Sequence, residues 1–235
     1  MTNRVLLNNV DHPDLTVAVR HGAEFGDQVN QLLVFPTEFA EIQREFPILF
    51  QPDGDGGYNP VALLGLERDE NLFLGPEGWE SRYIPAIQRR GPFSIALKPG
   101  EDEPEVMIEV DLDDPRVGRN AGELLFLEHG GSTPYLLHVT DALRTIYEGH
   151  QAIAPMFAAF EAHGLLRPVD IEIALNEERR IRVTGYFAID DERLASLDGA
   201  ALEVLNRSGF LRLAMLVSAS LANLQRLIER KGARG

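Results

Sequence analysis

The segment from Asn71 to Phe93 stands out for side chains suited to recognition chemistry, with the densest basic group in the first half of the chain. The stretch holds Trp79, the only tryptophan, with Tyr83 four positions on and arginines at Arg82, Arg89 and Arg90. On a helix or a tight turn, residues four apart share a side, which would set the two rings next to each other. Aromatic faces attract guanidinium groups, and both bury well against a partner. A peptide, a carboxylate or an aromatic ligand suits such a surface. The candidate ligand-binding set is therefore Asn71, Phe73, Trp79, Tyr83, Arg89 and Arg90. A structural role competes and weighs slightly more: the rings plug the open end of a sheet, while the arginines pair with Glu77, Glu80 or the acids of 101–114.

Other constellations are sparse. The six histidines (His12, His21, His129, His138, His150 and His163) fall at no spacing typical of metal ligands. His138 and Asp141 share a helix face at most as a surface hydrogen bond. No nucleophile elbow, Walker loop or dinucleotide fingerprint occurs. Gly130-Gly131-Ser132-Thr133 precedes a helix, and N-capping accounts for it better than anion binding. Asp53-Gly54-Asp55-Gly56-Gly57 lacks the twelfth-position glutamate of a calcium loop and reads as a hairpin turn. No cofactor, metal or catalytic residue is expected. An enzyme remains an alternative only if scattered groups, such as His129, His138 or His150 beside a carboxylate, come together in a pocket.

The elements that must position these residues follow from periodicity. Leu15–Val19, Ile48–Phe50, Val61–Leu66, Phe93–Leu97 and Val106–Leu112 read as strands. Lys98–Pro104 is expected to be an exposed acidic turn. Pro36 opens a short helix carrying Phe39, Ile42, Gln43 and Phe46, with Thr37-Glu38 in its first turn, and Pro47 ends it. A helix from Ser132 or Thr133 to His163, kinked at Pro155, stops at Gly164. Ile171–Leu175 and Ile181–Phe187 form a hairpin around Asn176-Glu177-Glu178. After Asp190-Asp191, the stripe Phe210, Leu213, Val217, Leu221, Leu224 and Ile228 predicts one long amphipathic helix, chiefly a core element and secondarily an oligomer interface. The fold class is α+β: a mainly antiparallel meander in the first half, packed against long amphipathic helices from the second, as a single domain over 1–235.

Composition narrows the function further. Against 22 basic residues stand 37 acidic ones, a net charge of −15 that repels nucleic acid and anionic lipid. All the basic residues except Lys98 and Lys231 are arginine, as a base-composition bias would produce. Without cysteine there are no disulfides, thiolate nucleophiles or iron–sulfur ligands. The apolar run Val5-Leu6-Leu7 is too short for a signal peptide, and no 18-residue apolar stretch exists, so the expected location is the cytoplasm, with no membrane span.

Phe35-Pro36-Thr37-Glu38-Phe39, Glu45-Phe46-Pro47-Ile48-Leu49-Phe50, Ala62-Leu63-Leu64-Gly65-Leu66 and Asn71-Leu72-Phe73 form one ordered series. Trp79, Tyr83-Ile84-Pro85-Ala86, Arg89-Arg90 and Pro92-Phe93 continue it. The series resembles the SapC family, most clearly over residues 30–95. Gly91 stands where the resemblance leads one to expect an aromatic. The family is named for surface-layer association in bacteria, and its members tend to be encoded near flavin-dependent halogenases and outer-membrane receptors. The aromatic–arginine cluster and the lack of a catalytic constellation point to a non-enzymatic binding or accessory protein with a peptide or protein partner; the resemblance adds a flavin-dependent halogenase as a candidate partner and brings no catalytic residues. An oligomeric structural component is a further alternative.

Overall fold

Ile48–Pro52 and Tyr58–Leu63 pair antiparallel from Ile48↔Ala62 to Pro52↔Tyr58, so the Asp-Gly run between them is a hairpin turn. The Asp53 carboxylate accepts the amides of Asp55 and Gly57, each at 2.8 Å. Gly54 and Gly56 turn there at φ of +92° and +95°, a region costly for residues with a Cβ. This hairpin sits in a computed structural model that describes residues 3–99, 105–119, 121–174 and 180–234. Residues 100–104 of the expected Lys98–Pro104 turn, and the expected turn at Asn176-Glu177-Glu178, lie outside the described residues. The contacts gather into two compact units: Met1–His21 with Ala86–Tyr147, and Gly22–Pro85 with Glu148–Gly235. The architecture is α+β, and every strand pair described is antiparallel.

The first unit holds two three-stranded sheets. Arg4–Leu6, Glu105–Asp111 and Phe93–Lys98 form one, with Glu105–Asp111 central. The other places Thr16–Val17 between Val117–Gly118 and Glu123–Leu124. The expected Leu15–Val19 strand thus shortens to two residues. Phe93, Val110, Leu125, Leu136, Val139 and Leu143 are among the side chains closing the core.

The second unit is built on a five-stranded sheet. Its order is Leu166–Ala174, Arg180–Ile189, Ile48–Pro52, Tyr58–Leu63 and Gln31–Leu33. Three strands come from the first half of the chain and two from the second. Ile48, Leu49 and Phe50 are fully buried at its centre. The Phe50 ring meets Phe157 edge-on at 4.9 Å. Burying each such ring contributes about 1.5–3 kcal/mol relative to leaving it exposed.

The long helix runs Pro134–Ala162 with Pro155 inside it, and Gly164 at φ +64° follows its end. Thr133 Oγ1 accepts the Leu136 amide at 3.3 Å, so the Gly130–Thr133 segment does cap the helix. Pro36 starts a 3-10 turn, Pro36–Glu38, leading into a single helical turn, Phe39–Ile42.

The expected long closing helix is instead two, Phe210–Ser220 and Asn223–Arg234. The Phe39 helix ends at Ile42, and the turn that follows it to Pro47 leaves backbone groups in need of partners. Ser220 Oγ accepts the Ile48 amide at 2.9 Å, and Asn223 Nδ2 donates to Gln43 O at 2.8 Å and Phe46 O at 3.3 Å. Both polar side chains serve the sheet's entry loop, and the closing segment breaks between them. Its apolar stripe goes to the unit's own core, with Val217 fully buried and Leu213, Leu221 and Ile228 packed against it.

Candidate functional site

Asn71 sets the local turn of the 71–83 segment. Its Oδ1 accepts the Phe73 amide at 2.9 Å, a side-chain mimic of a backbone turn, and its Nδ2 donates to Asp27 O at 2.8 Å. Leu74–Gly75 and Gly78–Trp79 then pair as a tight hairpin around Pro76-Glu77. Trp79 is therefore on a strand, and the helical spacing proposed for it and Tyr83 does not apply. Its indole N–H donates to Asp27 Oδ1 at 2.9 Å, and its ring lies edge-on to Phe46 at 6.4 Å. Phe46 in turn contacts Phe73 at 4.5 Å. Asp27, only 1% exposed, also accepts the Gly22 amide at 2.7 Å.

Tyr83 is held just as firmly. Its hydroxyl donates to Glu38 Oε2 at 2.8 Å, and Glu38, 2% exposed, accepts the Phe35 amide at 3.1 Å through its other oxygen. Sequence reading gave Glu38 a helix-dipole role, but its carboxylate ties the Phe35–Glu38 turn to Tyr83. Glu45 accepts the amides of Arg82 and Tyr83 at 2.9 and 3.2 Å.

These anchors leave one side of the segment open. Glu41, Arg44, Glu45, Arg82, Tyr83 and Arg226 line a hollow of about 360 Å³. Glu41 is paired with Arg44 at 2.9 Å, and Glu45 is occupied by backbone amides. The Arg82 guanidinium has no hydrogen bond or ion pair among the described residues. Arg226 reaches only the Arg44 carbonyl there, at 3.4 Å. Two arginines with unused guanidinium donors thus line one hollow together with Tyr83, and such forks match carboxylate geometry.

Of the six residues selected from sequence, Asn71, Phe73, Trp79 and Tyr83 come together in the second unit, while Arg89 and Arg90 belong to the first. The Arg89 side chain is 14% exposed and lies 4.0 Å from Asp141. Arg90 Nη1 donates to Phe93 O at 2.6 Å, and burial, then the Arg4 and Arg116 charges, lower the Arg90 pKa. Other arginines serve the aromatic segment. Arg230 stands 4.6 Å over the Phe73 ring and donates to Leu72 O at 3.2 Å. Arg234 donates to Asn71 O, Leu74 O and Glu80. Arg226, Arg230 and Arg234 recur every four residues, a helix-face signal that the neighbouring apolar stripe masked. Lys231, between them, bonds Glu67 and Glu70. Burial pulls its pKa down, but the two carboxylates outweigh that and hold it above the ordinary lysine value.

His129, His138 and His150 are each exposed. A smaller hollow of about 170 Å³ brings His12 beside Asp11 and Asp14, with His12 Nδ1 accepting the Asn8 amide at 3.3 Å. Among the described residues no three His, Asp or Glu side chains group as metal ligands, and no helix is long and apolar enough to cross a membrane.

Fold and site together define an α+β protein with a cationic hollow beside an anchored aromatic segment. The SapC family model matches residues 7–227, and the chain belongs to the SapC family. No curated protein and no solved structure matches it.

Proposed function

We propose that this SapC-family chain is a non-enzymatic binding or accessory protein that recognises an acidic segment of a peptide or protein partner at the Arg82–Tyr83–Arg226 hollow. The supporting observation is that Arg82 and Arg226 line this hollow while its two carboxylates, Glu41 and Glu45, already bond Arg44 and backbone amides. On a chain of net charge −15, such a local positive island gives register and selectivity. The anchoring of Tyr83 by Glu38 and Glu45 supplies a preorganised wall, which lowers the ordering cost of binding. A flavin-dependent halogenase is the first partner class to try.

The test is fluorescence anisotropy with labelled Glu-rich, alanine-substituted and Lys-rich peptides. The Glu-rich peptide is expected to bind selectively. Arg82→Ala with Arg226→Ala should weaken it by roughly tenfold per arginine, the scale of one charge-assisted hydrogen bond. Both residues are exposed, so the double variant should fold. Equal binding of all three peptides, or a double variant that binds like the parent, contradicts the reading.

A further inference from the structure

In the first unit, the sheet centred on Glu105–Asp111 ends at the Phe93–Lys98 strand, whose outer edge has no partner strand among the described residues. Two backbone bonds fix which groups face that edge. Asp111 N donates to Pro92 O at 3.0 Å, so Asp111 points toward the Phe93–Lys98 side. Leu7 N donates to Ile108 O at 2.8 Å, so Ile108 points the opposite way. Bonded pairs alternate along an antiparallel ladder. Ser94, Ala96 and Lys98 therefore spend their backbone groups on the central strand, while Phe93, Ile95 and Leu97 turn theirs outward. Phe93 is satisfied locally: its amide donates to Arg90 O at 3.2 Å, and its carbonyl accepts Arg90 Nη1 at 2.6 Å. Ile95 and Leu97 keep outward groups that bond nothing among the described residues.

The side chains tell the same story. Phe93, Ile95 and Leu97 share one face of the sheet with Val110, Ile108 and Val106. That row begins under the first unit's core, with Phe93 and Val110 fully buried and Ile95 and Ile108 packed against the cluster. It ends bare, with Leu97 54% and Val106 47% exposed. An unpaired strand edge beside uncovered apolar side chains is a template for a further strand.

The strand that fits this edge is its own copy. Arg90 closes the edge at Phe93, and Pro99, without an N–H, closes it after Lys98. Between those stops, one antiparallel register pairs every free group: Ile95 lies opposite the partner's Leu97, and Ala96 opposite the partner's Ala96. Each bare Leu97 then rests against the partner's Ile95, beside a row that is already packed. On the other face, Lys98 falls next to the partner's Ser94, whose hydroxyl meets Glu109 at 3.4 Å. With strands about 4.8 Å apart, the Cα atoms of Lys98 and the partner's Glu109 stand about 10 Å apart, a span the two long side chains bridge over the small serine. Lys98 makes no ion pair among the described residues. It would stand between its own Glu105 and the partner's Glu109, one cation to two acids.

We propose that the chain pairs with a second copy of itself along the Phe93–Lys98 edge, antiparallel about a two-fold axis at Ala96, joining two three-stranded sheets into one of six strands. Four backbone hydrogen bonds and two Ile95–Leu97 contacts hold the pair, a small interface of the weak, reversible class. The surface is separate from the Arg82–Arg226 hollow and stands without it.

The experiment is sedimentation equilibrium of the full chain at physiological salt, where repulsion between two acidic chains is screened over about 8 Å. A monomer–dimer equilibrium with Kd on the order of 10–100 μM is expected. Leu97→Pro removes an N–H that the chain's own sheet does not use, and should weaken the dimer by at least about tenfold. Leu97→Lys keeps the backbone, sets a charge against the partner's Ile95 and should act alike, so the test survives if the proline variant fails to fold. Lys98→Glu should weaken the dimer about threefold, and adding Glu109→Lys should restore it. Thiols read the register. The chain has no cysteine, and the pairing brings the two Ala96 Cα atoms to about 4.5 Å, within disulfide reach. Ala96→Cys should therefore cross-link under mild oxidation much faster than Leu137→Cys, an exposed control in the same unit. A chain still monomeric at about 1 mM, a dimer indifferent to both Leu97 variants, or an Ala96→Cys no faster than the control overturns the proposal.

Discussion

At the scale of single residues, the aromatic segment is held by carboxylates placed far away in sequence. Trp79 bonds Asp27 across 52 residues, and Tyr83 bonds Glu38 across 45. Replacing Trp79 by Phe keeps most of the ring area but removes the indole donor from a buried carboxylate. It should cost about 1–3 kcal/mol, read as a lower urea midpoint at unchanged slope. An unchanged midpoint would mean that the Asp27 bond contributes nothing. Sequence alone singled out Asn71, Phe73, Trp79 and Tyr83 because aromatics and a turn former are visible locally. It misplaced their partners, because Asp27 and Glu38 resemble every other acid in an acidic chain until the fold brings them in.

Among the elements, periodicity fixed existence better than extent. The hairpin at Asp53–Gly57 was legible because Gly and Asp act within a few residues. The split of the closing helix was not. An apolar stripe continues smoothly through Ser220 and Asn223, and only their long-range bonds to Ile48, Gln43 and Phe46 reveal the break. The last helix also straps the 67–80 segment through Arg230, Lys231 and Arg234. Lys231 has a folded pKa above its unfolded value near ~10.4, so its stabilisation is complete below that pH and disappears as pH rises through the folded pKa. Denaturation of the parent and of Lys231→Met should therefore differ by a constant amount from pH 7 to about 9.5 and converge at higher pH. A gap that widens with pH would contradict the Glu67–Lys231–Glu70 arrangement.

For the whole molecule, family membership covers residues 7–227, and Arg44, Arg82 and Arg226 line one hollow in a chain of net charge −15. The sequence showed the charge and the family pattern but grouped all the arginines of residues 82–90 into one surface. Contacts within each unit give Arg82 to one place and Arg90 to another, and bring Arg44 and Arg226 to the first. The exposed apolar residues Leu97 and Val106 are opposite each other in one strand pair, at the edge proposed for self-pairing; Met215 lies in the other unit and carries no assignment. Recognition through charge on an acidic scaffold should weaken with salt, since exposed interactions are screened over about 8 Å at physiological ionic strength.

Charge reversal tests the recognition claim most directly. The parent should prefer a Glu-rich peptide over its Lys-rich counterpart by more than about tenfold in anisotropy titrations. Arg82→Glu combined with Arg226→Glu should invert that preference while keeping the same unfolding midpoint within about 1 kcal/mol of stability. A doubly reversed protein that still selects the Glu-rich peptide would contradict the account.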